Sequence, residues 1–181
     1  MSTTLTHSPP EMIDKPVSDA FAVPPNGGAI EYELIELLFF AYRDFVGEAD
    51  LALQRYGFGR AHHRVLHFVN RNPGLTIAAL LDILRITKQS LSRVLRELVD
   101  GGFIEVRAGS NDRRQRLLFA APKGLELAVE LALLQTRRIR RALEGAGPDG
   151  RAAAERFLLN LIDAPARQQW QQLARGAGNK D

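Results

Sequence analysis

The stretch from Arg85 to Gly102, RITKQSLSRVLRELVDGG, constrains the fold more than any other part of the sequence. Its leucine and valine side chains recur at three- and four-residue steps, which is the periodicity of a helix with one buried face. Thr87 precedes this pattern as a helix cap, and a pair of glycines ends it. The sequence therefore predicts a helix from Lys88 to about Asp100. Its inward stripe is Leu91, Val94, Leu95 and Leu98.

The other face of this helix carries basic, amide and hydroxyl side chains. Donors near a helix N-terminus attract phosphate, because the free backbone N–H groups and the helix dipole act in the same direction. Lysine and arginine can donate to guanine, and glutamine can pair with adenine, so such a face suits a DNA major groove. Taken alone, the pattern favours a solvated surface helix, because basic surface helices are common. The residues predicted to contact DNA here are Thr87, Lys88, Gln89, Ser90, Ser92, Arg93 and Arg96.

The segments on either side decide between these two interpretations. Upstream, LTIAALLDIL predicts a short helix capped by Thr76, and Arg85-Ile86 leaves room only for a tight turn between two helices. Downstream, Phe103–Arg107 and Arg116–Ala120 are predicted to form two short strands around a polar, basic loop. An arginine at the tip of such a hairpin can enter a narrow minor groove. The sequence therefore predicts a winged helix-turn-helix.

The placement of charge supports a polyanionic partner for this segment. From Arg85 to Leu117 there are eight basic and four acidic residues, a net charge of +4. The whole chain carries 24 basic and 21 acidic residues, a net charge of +3. The positive field is thus concentrated in the predicted helix and hairpin, which favours DNA binding over a solvated surface.

The rest of the chain is predicted to be helical apart from its ends. A long helix begins near Ala29 and is apolar on more than one side, which indicates that a second subunit covers part of it. We expect a fold that is mainly α with a small β-hairpin wing, a winged helix-turn-helix with N- and C-terminal dimerisation helices. The predicted segments are a flexible tail (1–28), an N-terminal dimerisation helix (29–58), the DNA-binding domain (59–122), C-terminal dimerisation helices (123–175) and a second flexible tail (176–181).

The stretch LTIAALLDILRITKQSLSRVLRELVDGGFIEVRAGSNDRRQRLLFAAPKG, Leu75–Gly124, resembles the winged helix-turn-helix of MarR-type transcriptional regulators. Within that family, the combination of GRAHHRVLHFVNRNPGLT with ITKQSLSRVL looks most like the PetP-like branch. The resemblance rests on a leucine–glycine–aromatic step after the recognition helix, an Asp-x-Arg pattern in the wing and a closing PKG. The flanking long helix and the C-terminal helix pair also fit, so the resemblance covers about Ala29 to Leu173. The residues that carry the resemblance are Leu95, Leu98, Gly102, Phe103, Ile104, Asp112 and Arg114.

The resemblance implies a homodimer that binds a palindromic site on double-stranded DNA with one recognition helix in each major groove. It implies that Arg114 reaches the minor groove and that Asp112 holds Arg114, for which a charge-assisted hydrogen bond offers a physical reason. Arg113 and Arg116 are expected to contact phosphates or solvent. It also implies a small aromatic or anionic effector bound between the dimer helices and the DNA-binding lobe. The aromatic residues that line such a cleft, or else belong to the core, are Tyr32, Phe39, Phe40, Tyr42 and Phe68.

Two further clusters have local explanations. His62, His63 and His67 raise the question of a metal, but no acidic residue sits beside them, and we favour polar packing or a phosphate contact when protonated. The arginines of RRIRR (137–141) are predicted to lie in the last turns of a helix, where cations complement the dipole.

Several function classes have no support in the sequence. The chain contains no cysteine, which excludes disulfides, thiolate metal sites and thiol redox sensing. We find no nucleophile–base–acid set, no phosphate-binding glycine loop, no membrane-spanning segment and no secretory signal. We therefore expect a cytoplasmic DNA-binding protein with no catalytic residues, no metal and no cofactor. A winged helix that binds protein instead of DNA is the alternative, and a metal-dependent enzyme is a more distant one.

Overall fold

A computed structural model of the chain describes residues 30–109, 112 and 114–178. The predicted tail 1–28 lies outside these residues, and so do residues 179–181 of the predicted tail 176–181, whereas residues 176–178 are helical instead of a flexible tail. By their contacts the described residues divide into two units, one ending at Leu38 and the other beginning at Phe39. The elements are α1 (Tyr32–Gln54), α2 (Arg60–Arg71), β1 (Leu75–Thr76), α3 (Ile77–Leu84), α4 (Lys88–Asp100), β2 (Ile104–Ala108), β3 (Arg116–Ala120), α5 (Pro122–Gly145), α6 (Gly150–Leu161) and α7 (Ala164–Gly178).

The mainly helical fold class is confirmed, and the helix-turn-helix lies where the sequence predicts it. The Thr76 side chain caps α3 by accepting a hydrogen bond from the Ala79 N–H at 3.1 Å. Arg85 then adopts a left-handed backbone conformation with φ of 51°, which turns the chain sharply. Thr87 caps α4 by accepting from the Ser90 N–H at 3.1 Å. Both helices therefore begin at a threonine whose hydroxyl replaces a missing intrahelical acceptor.

The sheet contains one strand more than the predicted hairpin. β1 has two residues and pairs antiparallel with β3, which gives the strand order β1-β3-β2. β1 brings Leu75 opposite Leu118, so the start of α3 is tied to the wing. The predicted first strand is displaced by one position: pairing begins at Ile104, because the Phe103 N–H donates to the Leu98 carbonyl at the end of α4 at 2.8 Å. A strand of two residues is too short to show alternation, which is why the sequence pattern did not reveal it.

The core beneath α4 has the composition that the periodicity predicts. All four residues of the predicted inward stripe are buried, and they pack with the buried leucines and valines of α2 and α3. At the end of α4, Gly102 has φ of +73°, a conformation that glycine adopts without strain. The start of α5 then approaches so closely that a Cβ on Gly124 would lie 1.9 Å from the Phe103 carbonyl oxygen. This contact explains the glycine of the PKG sequence.

Candidate nucleic-acid interface

The outward face of α4 carries every residue predicted for it. Thr87, at the cap, and the polar side chains along the helix are exposed, while the apolar stripe faces the core. The Arg93 side chain is 76% exposed, so its guanidinium is available to a ligand. The exposed residues of this face, from the cap onward, are Thr87, Lys88, Gln89, Ser90, Ser92, Arg93 and Arg96.

The ends of α4 are fixed by contacts from other elements. At its C-terminal end, the Lys123 ammonium donates to the Gly101 carbonyl at 3.0 Å and lies 4.2 Å from the centre of the Phe103 ring. At the turn before it, the Arg64 guanidinium donates to the Leu84 carbonyl at 3.0 Å. The helix is therefore presented as a rigid element, and rigid presentation of donors lowers the entropic cost of binding.

The wing is the β2–β3 hairpin with its tip at Asp112 and Arg114. The Asp112 carboxylate accepts a hydrogen bond from the backbone N–H of Arg114 at 2.9 Å, and the Asp112 carbonyl accepts from the Gln115 N–H at 3.0 Å. The expectation that this carboxylate bonds the Arg114 guanidinium is therefore corrected. The short aspartate side chain closes the turn by bonding the main chain two residues on, and this leaves the exposed arginine side chain free to extend.

The other wing arginines differ in how they are held. Arg107 donates to Glu105 at 2.7 Å and lies 4.4 Å from the centre of the Phe119 ring. Arg116, at the start of β3, is exposed. Arg113 lies outside the described residues. Arg114 is consequently the described wing arginine whose position at the tip best suits contact with a groove.

A cavity of about 430 Å³ lies between α1, α2 and α5. Two of the aromatic residues considered for an effector site, Tyr42 and Phe68, line it. Phe39 and Phe40 do not line it and are exposed, as is Tyr32, so these three belong neither to this cavity nor to the core. The cavity combines an apolar wall with two arginines and two histidines. Its lining is completed by Phe45, Val46, Arg60, His63, Arg64, His67 and Gln135.

The two histidines of the cavity favour the neutral form. Burial lowers the pKa of His63, and His67 lowers it further, while Asp50 acts in the opposite direction. The pKa of His67 is also lowered, first by partial removal of its ring from water and then by Arg71, although the residue as a whole is exposed. Polar packing is therefore the better description of this pair at neutral pH. Within the described residues no group of three or more His, Asp or Glu side chains is placed to hold a metal.

The sequence interpretation missed the cationic lining of this cavity, although a signal existed. Arg60, His63, Arg64 and His67 recur at three- and four-residue steps, which places all four on one face of α2. The arginines of RRIRR (137–141) lie in the last turns of α5, which ends at Gly145. Arg138 in addition pairs with Glu48 of α1 at 2.8 Å.

Comparison of the sequence with known proteins decides the family. The family model described as the MarR family matches residues 56–115. The HTH-type transcriptional regulator PetP of Rhodobacter capsulatus is 45% identical over 139 residues, which cover 77% of this chain and 84% of that relative. The chain belongs to the MarR family. This MarR-family chain is a DNA-binding transcriptional regulator, and the resemblance drawn from its sequence is confirmed.

Solved structures of MarR-type proteins share the fold of this MarR-family regulator. A crystal structure of Streptococcus pneumoniae FabT in complex with DNA has a TM-score of 0.64 at 18% identity, covering 73% of this chain and 94% of that one. A SlyA-like transcription regulator from Listeria monocytogenes has a TM-score of 0.60 at 19% identity, covering 82% of this chain and 96% of that one.

Among the described residues, no helix is long and apolar enough to cross a bilayer.

Proposed function

We propose that this regulator acts in the cytoplasm as a homodimer on a palindromic operator, as a binding protein and not as an enzyme. Residues 59–122 form the DNA-binding domain, and residues 29–58 and 123–175 form the dimerisation elements. Each subunit places α4 in a major groove and Arg114 in the adjacent minor groove. One observation carries the proposal: the polar face of α4 is exposed while its apolar stripe is buried in the chain's own core.

The contacts to DNA divide by position along the interface. Lys88 and Gln89 stand in the first turn of α4, where the backbone N–H groups of the helix N-terminus favour phosphate and the side chains are near base edges. Arg93 and Arg96 stand one and two turns farther along, on the same exposed face. The exposed tip of the wing supports the proposed minor-groove contact of Arg114. FabT, which has a similar fold, is described in complex with DNA, and this supports the same role here.

The exposed apolar surface of the terminal helices supports a dimer. Along α1, large apolar side chains from Leu34 to Phe40 are 41–69% exposed. α6 and α7 add a second apolar surface with Phe157, Leu161 and Trp170 each about half exposed. A monomer rarely leaves contiguous apolar patches of this kind in water, so we propose that a second copy of the chain covers them.

The cavity between α1, α2 and α5 is the proposed effector site. Its apolar wall suits an aromatic ring, and the Arg60 and Arg64 guanidiniums suit a carboxylate or phenolate. Arg64 also bonds the Leu84 carbonyl at the turn before α4, so a ligand that attracts its guanidinium would act on that turn. We propose a small aromatic anion as the class of effector.

Selection from a random pool of duplex DNA tests the proposed function. Bound sequences should converge on a palindrome with half-sites about 10 bp apart, one helical turn of DNA. On that duplex, Arg114→Ala should weaken binding by about 1–3 kcal/mol, because a groove contact is lost. Arg116→Ala, which removes an exposed arginine from the base of the wing, is the matched control and should cost less. Normal affinity of the Arg114→Ala variant would contradict the wing assignment.

A further inference from the structure

His62 joins α2 to the recognition helix through both of its ring nitrogens. Its Nδ1 accepts a hydrogen bond from the backbone N–H of Gly59 at 3.1 Å. Because Nδ1 is the acceptor, the ring hydrogen resides on Nε2, which donates to the Glu97 carboxylate at 2.6 Å. Glu97 lies on α4, so this pair connects the start of one helix to the last turn of the other.

Aromatic contacts hold the His62 ring in place. The ring is stacked on Phe58, with 4.5 Å between centroids and an angle of 7° between the planes. Phe58 in turn meets the buried Phe103 ring edge-on at 5.0 Å. The His62 side chain is only 10% exposed. The imidazole is therefore fixed in both position and orientation, and the oxygen atom it bonds is fixed with it.

The second oxygen of the same carboxylate faces the proposed DNA surface. Glu97 Oε1 lies 4.0 Å from Nε of Arg93, one helical turn earlier on α4. An exposed pair of this kind contributes little by itself, because two long side chains must be ordered to form it. Here one of the two is already ordered by His62, so less side-chain entropy remains to be lost when Arg93 adopts its binding conformation.

We propose that His62 is a positioning residue for DNA recognition that acts through Glu97 on Arg93. It holds the carboxylate at a fixed place beside the Arg93 guanidinium and keeps that negative charge from approaching the phosphates. The proposal rests on the proposed function, since it needs α4 to be the helix that meets DNA. It adds a residue on α2 that does not itself contact the nucleic acid.

A double-mutant cycle separates positioning from a merely structural role. The measured quantity is the ratio of affinities for the selected palindromic duplex and for a scrambled duplex of equal length and composition. His62→Ala should lower this ratio by about 10-fold, a typical coupling between residues in contact. In an Arg93→Ala background the same substitution should change the ratio by less than about 2-fold. A loss of general stability would act equally in both backgrounds, whereas a relay through Arg93 would not.

Two further variants keep the result interpretable. Glu97→Ala removes a carboxylate on a side chain that is 45% exposed, so the core stays intact even where His62→Ala does not fold. Glu97→Ala should lower the ratio of affinities for the palindromic and scrambled duplexes by a similar factor, and again only when Arg93 is present. Asn70→Ala is the matched control, because Asn70 lies on the same helix and does not line the proposed effector site. It should leave the ratio unchanged.

Equal losses with and without the Arg93→Ala substitution, or an unchanged ratio in both His62→Ala and Glu97→Ala, would overturn the positioning role. These outcomes are distinct from failure of the proposed function itself. In that case the unsubstituted protein would show no preference for any duplex in the selection, and the positioning role would fall with it.

Discussion

The recognition helix α4 and the first helix α1 differ in what covers their apolar side chains. In α4 the inward leucines and valines are buried by the rest of the chain, and the exposed face is polar and basic. In α1 only Val46, Ala49 and Leu53 are buried, while Leu37 and Phe39 are 62% and 69% exposed. One helix is thus complete within a single chain, and the other has a surface suited to a second subunit.

Because of this difference, substitutions in the two helices should have different consequences. A substitution under α4 should unfold the chain, whereas one on the exposed part of α1 should leave the chain folded and separate the subunits. A substitution on the outer face of α4 beyond its cap residue should do neither and should change only DNA affinity.

The largest effect should come from charging the exposed apolar surface of α1. Leu34→Asp combined with Leu37→Asp should convert a dimer to a folded monomer in sedimentation experiments. Affinity for the palindromic duplex should fall by about 100-fold or more, because the two half-sites are then no longer bound by one linked molecule. Leu51→Asp, at an equally exposed position nearer the end of α1, is the control. A double variant that remains dimeric would contradict the comparison.

Shortening a buried side chain of α4 should lower the stability of the fold instead. Leu98 is fully buried, so Leu98→Ala should lower the free energy of unfolding by about 2–5 kcal/mol, through lost burial and the cavity left behind. Val99→Ala at the next position, which is 38% exposed, should change it by less than about 0.5 kcal/mol. Denaturant titrations at one fixed protein concentration provide both values. Similar losses for the two variants would mean that α4 does not pack as described.

The cap of α4 should have an intermediate effect. Thr87→Ala removes the hydroxyl that accepts from the Ser90 N–H, and the free energy of unfolding should fall by about 1 kcal/mol. Thr87→Ser retains the hydroxyl and should restore most of the loss. Thermal or denaturant unfolding without DNA measures this effect apart from any contact that Thr87 makes to phosphate. If the free energy of unfolding of Thr87→Ser is as low as that of Thr87→Ala, the hydroxyl is not the source of the stabilisation.

The smallest effect should be a dependence of stability on pH through His63. Its pKa in the folded chain is below the ordinary 6.5, because burial disfavours the charged imidazole. The unfolded chain therefore takes up a proton first as the pH falls below 6.5. The stability contributed by neutral His63 is present above that pH and decreases as the pH falls through the folded-state pKa. His63→Gln should flatten this part of the profile, and a steeper profile in the variant would contradict the assignment.

The sequence was sufficient to predict the elements whose signals are local. Thr87, the leucine stripe and the glycine pair define α4 to the residue, because caps, periodicity and breakers all act within a few positions. Thr76 predicts the start of α3 in the same way. The basic wing and its Asp-x-Arg pattern, together with these helices, were enough to indicate the family.

Contacts between distant positions could not be predicted. His62 and Glu97 are 35 residues apart, and nothing in either local pattern indicates that they meet. The pairing of β1 with β3 could not be predicted either, because a strand of two residues is too short to show a sequence pattern that fixes its register. Asp112 does bond Arg114, as expected, but it accepts from the backbone N–H of that residue and not from its guanidinium. A sequence pattern does not distinguish a bond to the main chain from one to a side chain.

The most direct test of the account is a binding titration across salt concentrations with two duplexes, the selected palindrome and a single half-site. We predict two subunits per palindrome, and much weaker binding to the half-site because each half-site takes only one recognition helix. We also predict a slope of log affinity against log salt of about −4 or steeper, as expected when four or more phosphates are neutralised. Equal affinity for the two duplexes together with a slope near zero would contradict DNA recognition through paired α4 helices.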